Sequence, residues 1–357
     1  MSILDEVEQI RLMDPGNMYN SIFDFPEQIA EADKIGKLWR VDAGEYLGIK
    51  NIVIAGMGGS AIGGDILRSY LRSILLVPVE ICRHYILPEY VDDESLVIIS
   101  SYSGDTEETV AAANDALDRK SMIAVLTTGG MIGDLAKLNE LPMAKLPPGL
   151  QPRAALGYSL IPMIHFFEKI GLVKKVTKEI NTLISSLQKF RDKYIEDSPV
   201  ISNPAKHLAE AIQNKIVLIY TGPTITDAVG MRWKGQICEN SKTLAFHNQF
   251  AEFNHNELVG WSDLISMHKN HLAVIILRDQ DDHPQIRKRM NIVKDVIQSR
   301  EVEVTDVHSR GQSPLERILS LVQMGDFVSY YLAILNKVDP TPVKIIEGLK
   351  QALQNQK

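Results

Sequence analysis

Cysteine is almost missing from this 357-residue chain, which holds only Cys82 and Cys238. A single pair cannot build a disulfide framework, and Cys82 lies in an apolar, strand-like run, so both thiols are expected to stay reduced, as in the cytoplasm. Long apolar runs are missing as well. No segment approaches the roughly eighteen uninterrupted apolar residues of a membrane span, which predicts no membrane partner. Nor is positive charge in excess: 38 Lys and Arg against 45 Asp and Glu leave a net charge of −7. That balance gives no electrostatic reason to expect nucleic acid or an anionic lipid surface. The first residues, MSILDEVEQIRLMD, have no basic n-region and no small-residue cleavage site, and so do not read as a signal peptide. Low-complexity segments are absent too.

What is present is ordinary for a globular protein, with 45% apolar and 23% charged residues. The length predicts about two domains. Apolar, β-branched runs recur at 52–55, 74–82, 96–100 and 122–127, and again at 216–220, 243–246, 272–277 and 302–307. Helix-like stretches separate them at 60–72, 106–118, 132–138, 224–237, 284–298 and 314–336. Short strands apolar on both faces, alternating with helices, predict an α/β fold with buried parallel sheet. Both halves follow one order of elements, which suggests an internal duplication. The expected organisation is a helical arm (1–47), a first α/β domain (48–150), a helical connector (151–212), a second α/β domain (213–338) and a C-terminal helix (339–357). Asp339 followed by Pro340 reads as the cap and first turn of that last helix.

The first strand runs into GMGGSAIGGD, residues 56–65. Strand, glycine loop and helix together place backbone N–H groups around a phosphate. A dinucleotide site would also need an acidic residue at the end of the next strand, to hold the ribose. That strand ends in Cys82-Arg83-His84, so the charges beyond it are basic, and an NADP-dependent dehydrogenase becomes the lesser reading. The third strand runs into SSYSGDTEET, residues 100–109. Its hydroxyls and glycine, before a helix starting near Thr106, form a second anion pocket. Taken singly, each loop has a plain alternative as a helix cap. Side by side at the carboxyl ends of two strands, they predict a cradle for one phosphate monoester.

These two loops resemble the sugar isomerase (SIS) domain family. QPRAALGYSL (151–160), RWKGQICENSK (232–242), FNHNELVGW (253–261) and VDPTPVKIIEGLK (338–350) resemble one branch of it, the bifunctional phosphoglucose/phosphomannose isomerases. The resemblance implies two SIS-type domains, each a parallel sheet flanked by helices. It also implies a cofactor-free isomerase that interconverts glucose 6-phosphate, and mannose 6-phosphate as well, with fructose 6-phosphate. By the same resemblance Gly59, Ser60, Ser101, Ser103 and Thr106 hold the phosphate of the sugar substrate. Asp105 departs from the family, which more often has asparagine there; a carboxylate beside a phosphate is tolerable only if it turns away or caps a helix.

Aldose–ketose isomerisation needs a base that moves a proton between C1 and C2, a cation for the enediolate, and an acid/base for the ring oxygen. Glu239 ends a helix, where the dipole favours a more basic carboxylate; its plainer alternative is a surface glutamate. His255 lies in a polar loop and can exchange a proton near neutral pH, with loop packing or metal ligation as the alternatives. No metal is expected, because no H-E-x-x-H or comparable spacing is present. Arg153 lies between Pro152 and Ala154-Ala155, which predicts a tucked guanidinium rather than a surface one. The resemblance assigns Glu239 as base, Arg153 as the catalytic arginine, and His255 as a residue supplied across a homodimer interface. It also implies a threonine and a lysine from the C-terminal segment, here Thr341 and Lys350, with Lys344 a rival. The alternative from another class is a non-catalytic phosphosugar sensor of the same fold.

Overall fold

The structure is a computed structural model and describes residues 2–355. Three helices form the N-terminal arm: α1 (Val7–Leu12), α2 (Met18–Phe23) and α3 (Phe25–Leu38). The first sheet unit follows as β1 (Asn51–Ala55), α4 (Gly58–Leu71), β2 (Val79–Cys82), β3 (Ser95–Ser101), α5 (Glu107–Asp118), β4 (Met122–Thr127), α6 (Gly130–Leu138) and β5 (Met143–Lys145). Next come α7 (Leu156–Lys169), α8 (Thr177–Arg191) and α9 (Pro204–Ile212). The second unit is β6 (Ile216–Thr221), α10 (Asp227–Ser241), β7 (Ala245–Gln249), β8 (Leu272–Arg278), α11 (Pro284–Gln298), β9 (Glu303–His308) and α12 (Pro314–Leu335), and α13 (Lys344–Gln354) closes the chain.

Both sheets are parallel, with strand orders β2-β1-β3-β4-β5 and β7-β6-β8-β9. The second repeats the first strand for strand except for β5. The order reverses between β1 and β3, where loops at the carboxyl ends can surround a ligand. β1 and β3 are buried almost throughout, as their unbroken apolar runs require.

Two expectations change, and one segment is more deeply buried than its place between the sheets suggests. The strand predicted over 74–82 begins only at Val79, because Pro78 has no N–H to give the ladder, although its carbonyl accepts the N–H of Ile52 at 2.9 Å. Within 151–212, expected as a helical connector, every residue of α7 from Leu156 to Phe167 is buried, which makes it a core helix. Asp339 does not cap the last helix. Its Oδ1 accepts the N–H of Thr341 at 2.9 Å, and α13 starts only at Lys344.

By length and composition α12 could cross a bilayer, yet it is almost wholly buried inside the protein. Its apolar character runs all round the helix because it packs against α8, α9 and α10 at once. A capping box, Ser313 with Glu316, fixes its start.

Candidate functional site

The helices α4 and α5 start just beyond the carboxyl ends of the neighbouring strands β1 and β3, so their N-termini face the same space. Gly58 takes a positive φ of 47°, and open space lies where its side chain would be. Gly59 is needed for close approach: a Cβ there would lie 2.4 Å from the carbonyl oxygen of Pro152. The glycine loop therefore seats the turn that carries Arg153.

Ser60 Oγ accepts the N–H of Tyr102 at 3.0 Å, which ties the two loops together. Ser101 Oγ accepts the N–H of Gly104 at 3.1 Å and lies 3.5 Å from Thr106 Oγ1. Both serines spend a lone pair on backbone; the Ser60 O–H is left to offer, while that of Ser101 is directed at Thr106 Oγ1. Thr106 stands at the N-cap of α5 but makes no side-chain capping bond, so its hydroxyl is not consumed by the helix. Ser103 is exposed beside them, its Oγ accepting the N–H of Asp105 at 3.4 Å.

Asp105 turns away from this group. Its Oδ1 accepts the N–H of Met131 at 2.9 Å, in the first turn of α6, where a carboxylate is favoured. Asp105→Asn, which keeps that acceptor, is therefore expected to leave substrate KM unchanged within about twofold, whereas Asp105→Ala is expected to cost about 1 kcal/mol of stability. Urea unfolding midpoints and steady-state kinetics check both.

Arg153 is 3% exposed and fully engaged. Nε donates to Asn240 Oδ1 at 2.7 Å, Nη2 donates to the carbonyls of Pro340 at 2.8 Å and Thr341 at 2.7 Å, and Nη1 lies 3.5 Å from Glu239 Oε2. Burial lowers the guanidinium's pKa, Glu239 opposes that, and the group keeps its charge. Glu239 sits in the last turn of α10 with its side chain about a third exposed at 32%. Lys242, the left-handed C-cap of α10, donates to the carbonyls of Glu239 at 2.7 Å and Pro340 at 3.2 Å. Its pKa is lowered to about 8, first by burial and then by Arg153, with Asp339 and Glu239 opposing.

A buried polar stripe on α10 supports these groups. Arg232 Nη2 donates to Asp326 Oδ2 of α12 at 2.6 Å and to the carbonyl of Arg153 at 3.1 Å. Gln236 Nε2 donates to Asp326 Oδ1 at 2.8 Å, and Asn240 Nδ2 donates to Ser329 Oγ at 2.9 Å. Arg232, Gln236, Asn240 and Lys242 are absent from the residues picked out by sequence. The repeat of polar residues four apart along α10 is the signal that could have found the first three.

Thr341 reaches the cluster through its carbonyl. Its Oγ1 is buried without a hydrogen-bond partner among the described residues, packed where Gly16 of the arm leaves room for it. His255 is not brought to Arg153 and Glu239 by its own chain. It is exposed beyond β7, and its ring makes no hydrogen bond or ion pair among the described residues. Lys344 and Lys350 are likewise exposed on α13.

Two duplicated parallel sheets, with a hydroxyl-rich double loop in the first, define a protein built of paired SIS domains. Residues 45–139 match the family described as SIS domain, and residues 201–353 match the bacterial phospho-glucose isomerase C-terminal SIS domain. The chain is 43% identical to a bifunctional phosphoglucose/phosphomannose isomerase of Caldicellulosiruptor bescii, over 94% of this chain and 98% of that one. It is 32% identical to the protein of that name from Aquifex aeolicus, over 88% and 94%. In fold it is similar to the C-terminal domain of glucosamine-fructose-6-phosphate aminotransferase from Francisella tularensis. That structure has a TM-score of 0.66 at 13% identity, covering 91% of this chain and 98% of that one. The chain belongs to the bifunctional phosphoglucose/phosphomannose isomerase family.

Proposed function

We propose that this protein interconverts glucose 6-phosphate and mannose 6-phosphate with fructose 6-phosphate, the activity for which its relatives are named. The observation that carries the mechanism is the Arg153–Glu239 pair at 3.5 Å, seated on the glycine loop through Gly59. The backbone around Gly59 and the hydroxyls of Ser60, Ser101, Ser103 and Thr106 hold the phosphate. Glu239 takes the C2 proton of the open-chain aldose and the negative charge gathers on O1, which gives a cis-enediolate. The proton on O2 then passes to O1 as C1 is reprotonated, which gives the ketose. Arg153 offsets the oxyanion from a fixed position, so little reorganisation is needed as charge develops.

Ring opening falls to His255, delivered by a second copy of the chain, with Lys350 or Lys344 and Thr341 near the sugar. A homodimer is supported by α13, whose apolar residues Ile345, Ile346, Leu349 and Leu353 are all exposed. They lie at helical spacing on one stripe, a pattern that another surface covers.

Purified protein in EDTA is expected to convert fructose 6-phosphate to both aldose phosphates in coupled assays. Binding of 5-phosphoarabinonate without turnover would instead identify a sensor. Mixed Glu239→Gln and His255→Ala chains are expected to recover about a quarter of wild-type activity in a statistical mixture, and about a half in isolated heterodimers, if His255 acts across the interface. Lack of recovery in demonstrated heterodimers would overturn that arrangement.

A further inference from the structure

The helices α4 and α10 occupy equivalent places in the duplicated units and pack together in opposite directions. The N-terminal end of α4 meets the C-terminal end of α10 through Arg153, at the site described above. At the other end Arg72, which follows α4, donates from Nη1 to the carbonyl of Pro223 at 2.7 Å, just before α10 begins. A cleft of about 390 Å³ lies there, lined by Arg68, Ser69, Arg72, Thr224, Asp227 and Gln249 among others. Its volume falls at the small end of the range for metabolite sites.

We infer that this cleft is a second ligand site, for a small phosphorylated polyhydroxy compound. The inference stands independently of the chemistry proposed for Glu239. Arg68 in the last turn of α4 and Arg72 at its C-cap lie one helical turn apart, a spacing that lets two guanidinium groups face one phosphate. Arg68 has a long contact of 3.4 Å with Asp65, whose other oxygen pairs with Arg83. Among the lining residues, Arg68 and Arg72 against Asp227 leave the cleft positive.

Ser69 points to a ligand independently of charge. It is only 9% exposed, lines the cleft, and its hydroxyl makes no hydrogen bond among the described residues. The Thr224 hydroxyl and the Gln249 side-chain amide are also without hydrogen bonds among the described residues while facing the same space. Ser69 is nearly buried while Thr224 and Gln249 are half-buried, so the three present unengaged polar atoms to the cleft, where a ligand or water can reach them. Asp227, at the first position of α10, supplies an acceptor for sugar hydroxyls. That set of groups suits a phosphate joined to a hydroxylated chain better than a bare anion. No residue at this end is in the position of Glu239, so binding here carries no isomerisation.

Equilibrium dialysis with labelled 6-phosphogluconate tests this. The wild-type protein is expected to show two classes of site per chain. Arg68→Gln/Arg72→Gln is expected to weaken one class by about ten- to a hundredfold while kcat for fructose 6-phosphate stays unchanged. Thr224→Trp, which fills the cleft from the opposite wall, is expected to remove the same class and serves if the double variant does not fold. A single class in the wild type, or two intact classes in both variants, would overturn the site. Inorganic phosphate displacing the second class as well as 6-phosphogluconate does would mark a bare anion site and overturn the polyhydroxy assignment.

Discussion

Glu239→Gln is expected to lower kcat for fructose 6-phosphate by about 10²- to 10⁴-fold, with KM changed by no more than about threefold. The substitution keeps the shape of the side chain and removes only its ability to take a proton. The surroundings survive it. Arg153 holds Asn240, Pro340 and Thr341 through Nε and Nη2, bonds that do not involve Glu239. The carboxylate's own contact with Nη1, at 3.5 Å, is the longest made by that guanidinium. Stability therefore changes little, and a loss of turnover reports the base rather than the fold. Exchange of solvent deuterium into C1 of fructose 6-phosphate should fall in parallel. Turnover that persists within tenfold would reassign the base.

Arg153→Met is expected to act on both fold and chemistry. It leaves Asn240 Oδ1 and the carbonyls of Pro340 and Thr341 without their donor in a buried setting. The expected cost is about 3–5 kcal/mol of unfolding free energy, together with a fall in kcat of at least about 10²-fold. Arg153→Lys separates the two effects. One ammonium retains charge but cannot spread donors over Asn240 and two carbonyls as a planar fork does. Part of the stability should return, while kcat stays depressed by at least about tenfold. Urea unfolding read beside steady-state kinetics distinguishes them. Full recovery of kcat by lysine would show that charge alone, without geometry, meets the need.

The sequence shows most of the fold because the strands β1, β3, β4, β6 and β8 each carry an apolar run rich in Ile, Val and Leu, a pattern set by burial on both faces. β5 escapes notice since Met143–Lys145 is too short to display any period. The phosphate loops are readable because their chemistry is local to a few residues around Gly59 and Ser101. The frame around Arg153 is not local. Its partner Asn240 lies 87 residues away, and Asp326 reaches it through Arg232 and through Ser329 and Asn240. No spacing rule links such positions before the chain has folded. Lys242 hides for another reason: a lysine ending a helix ordinarily meets solvent, and the packing of Pro340 against it adds a distant carbonyl to the local one of Glu239. For His255 and Lys350 the sequence names residues that a single copy of the chain leaves at the surface.

The reach of Arg153 also orders events during synthesis. Its carbonyl acceptors are 187 and 188 residues further along the chain. The first sheet, complete by Lys145, can form on the ribosome long before those acceptors exist. A nascent chain can therefore own a finished phosphate loop while its arginine is still unanchored. On the catalytic role proposed for Arg153, a translation product that stops short of Pro340 would fold in part without acquiring a working centre.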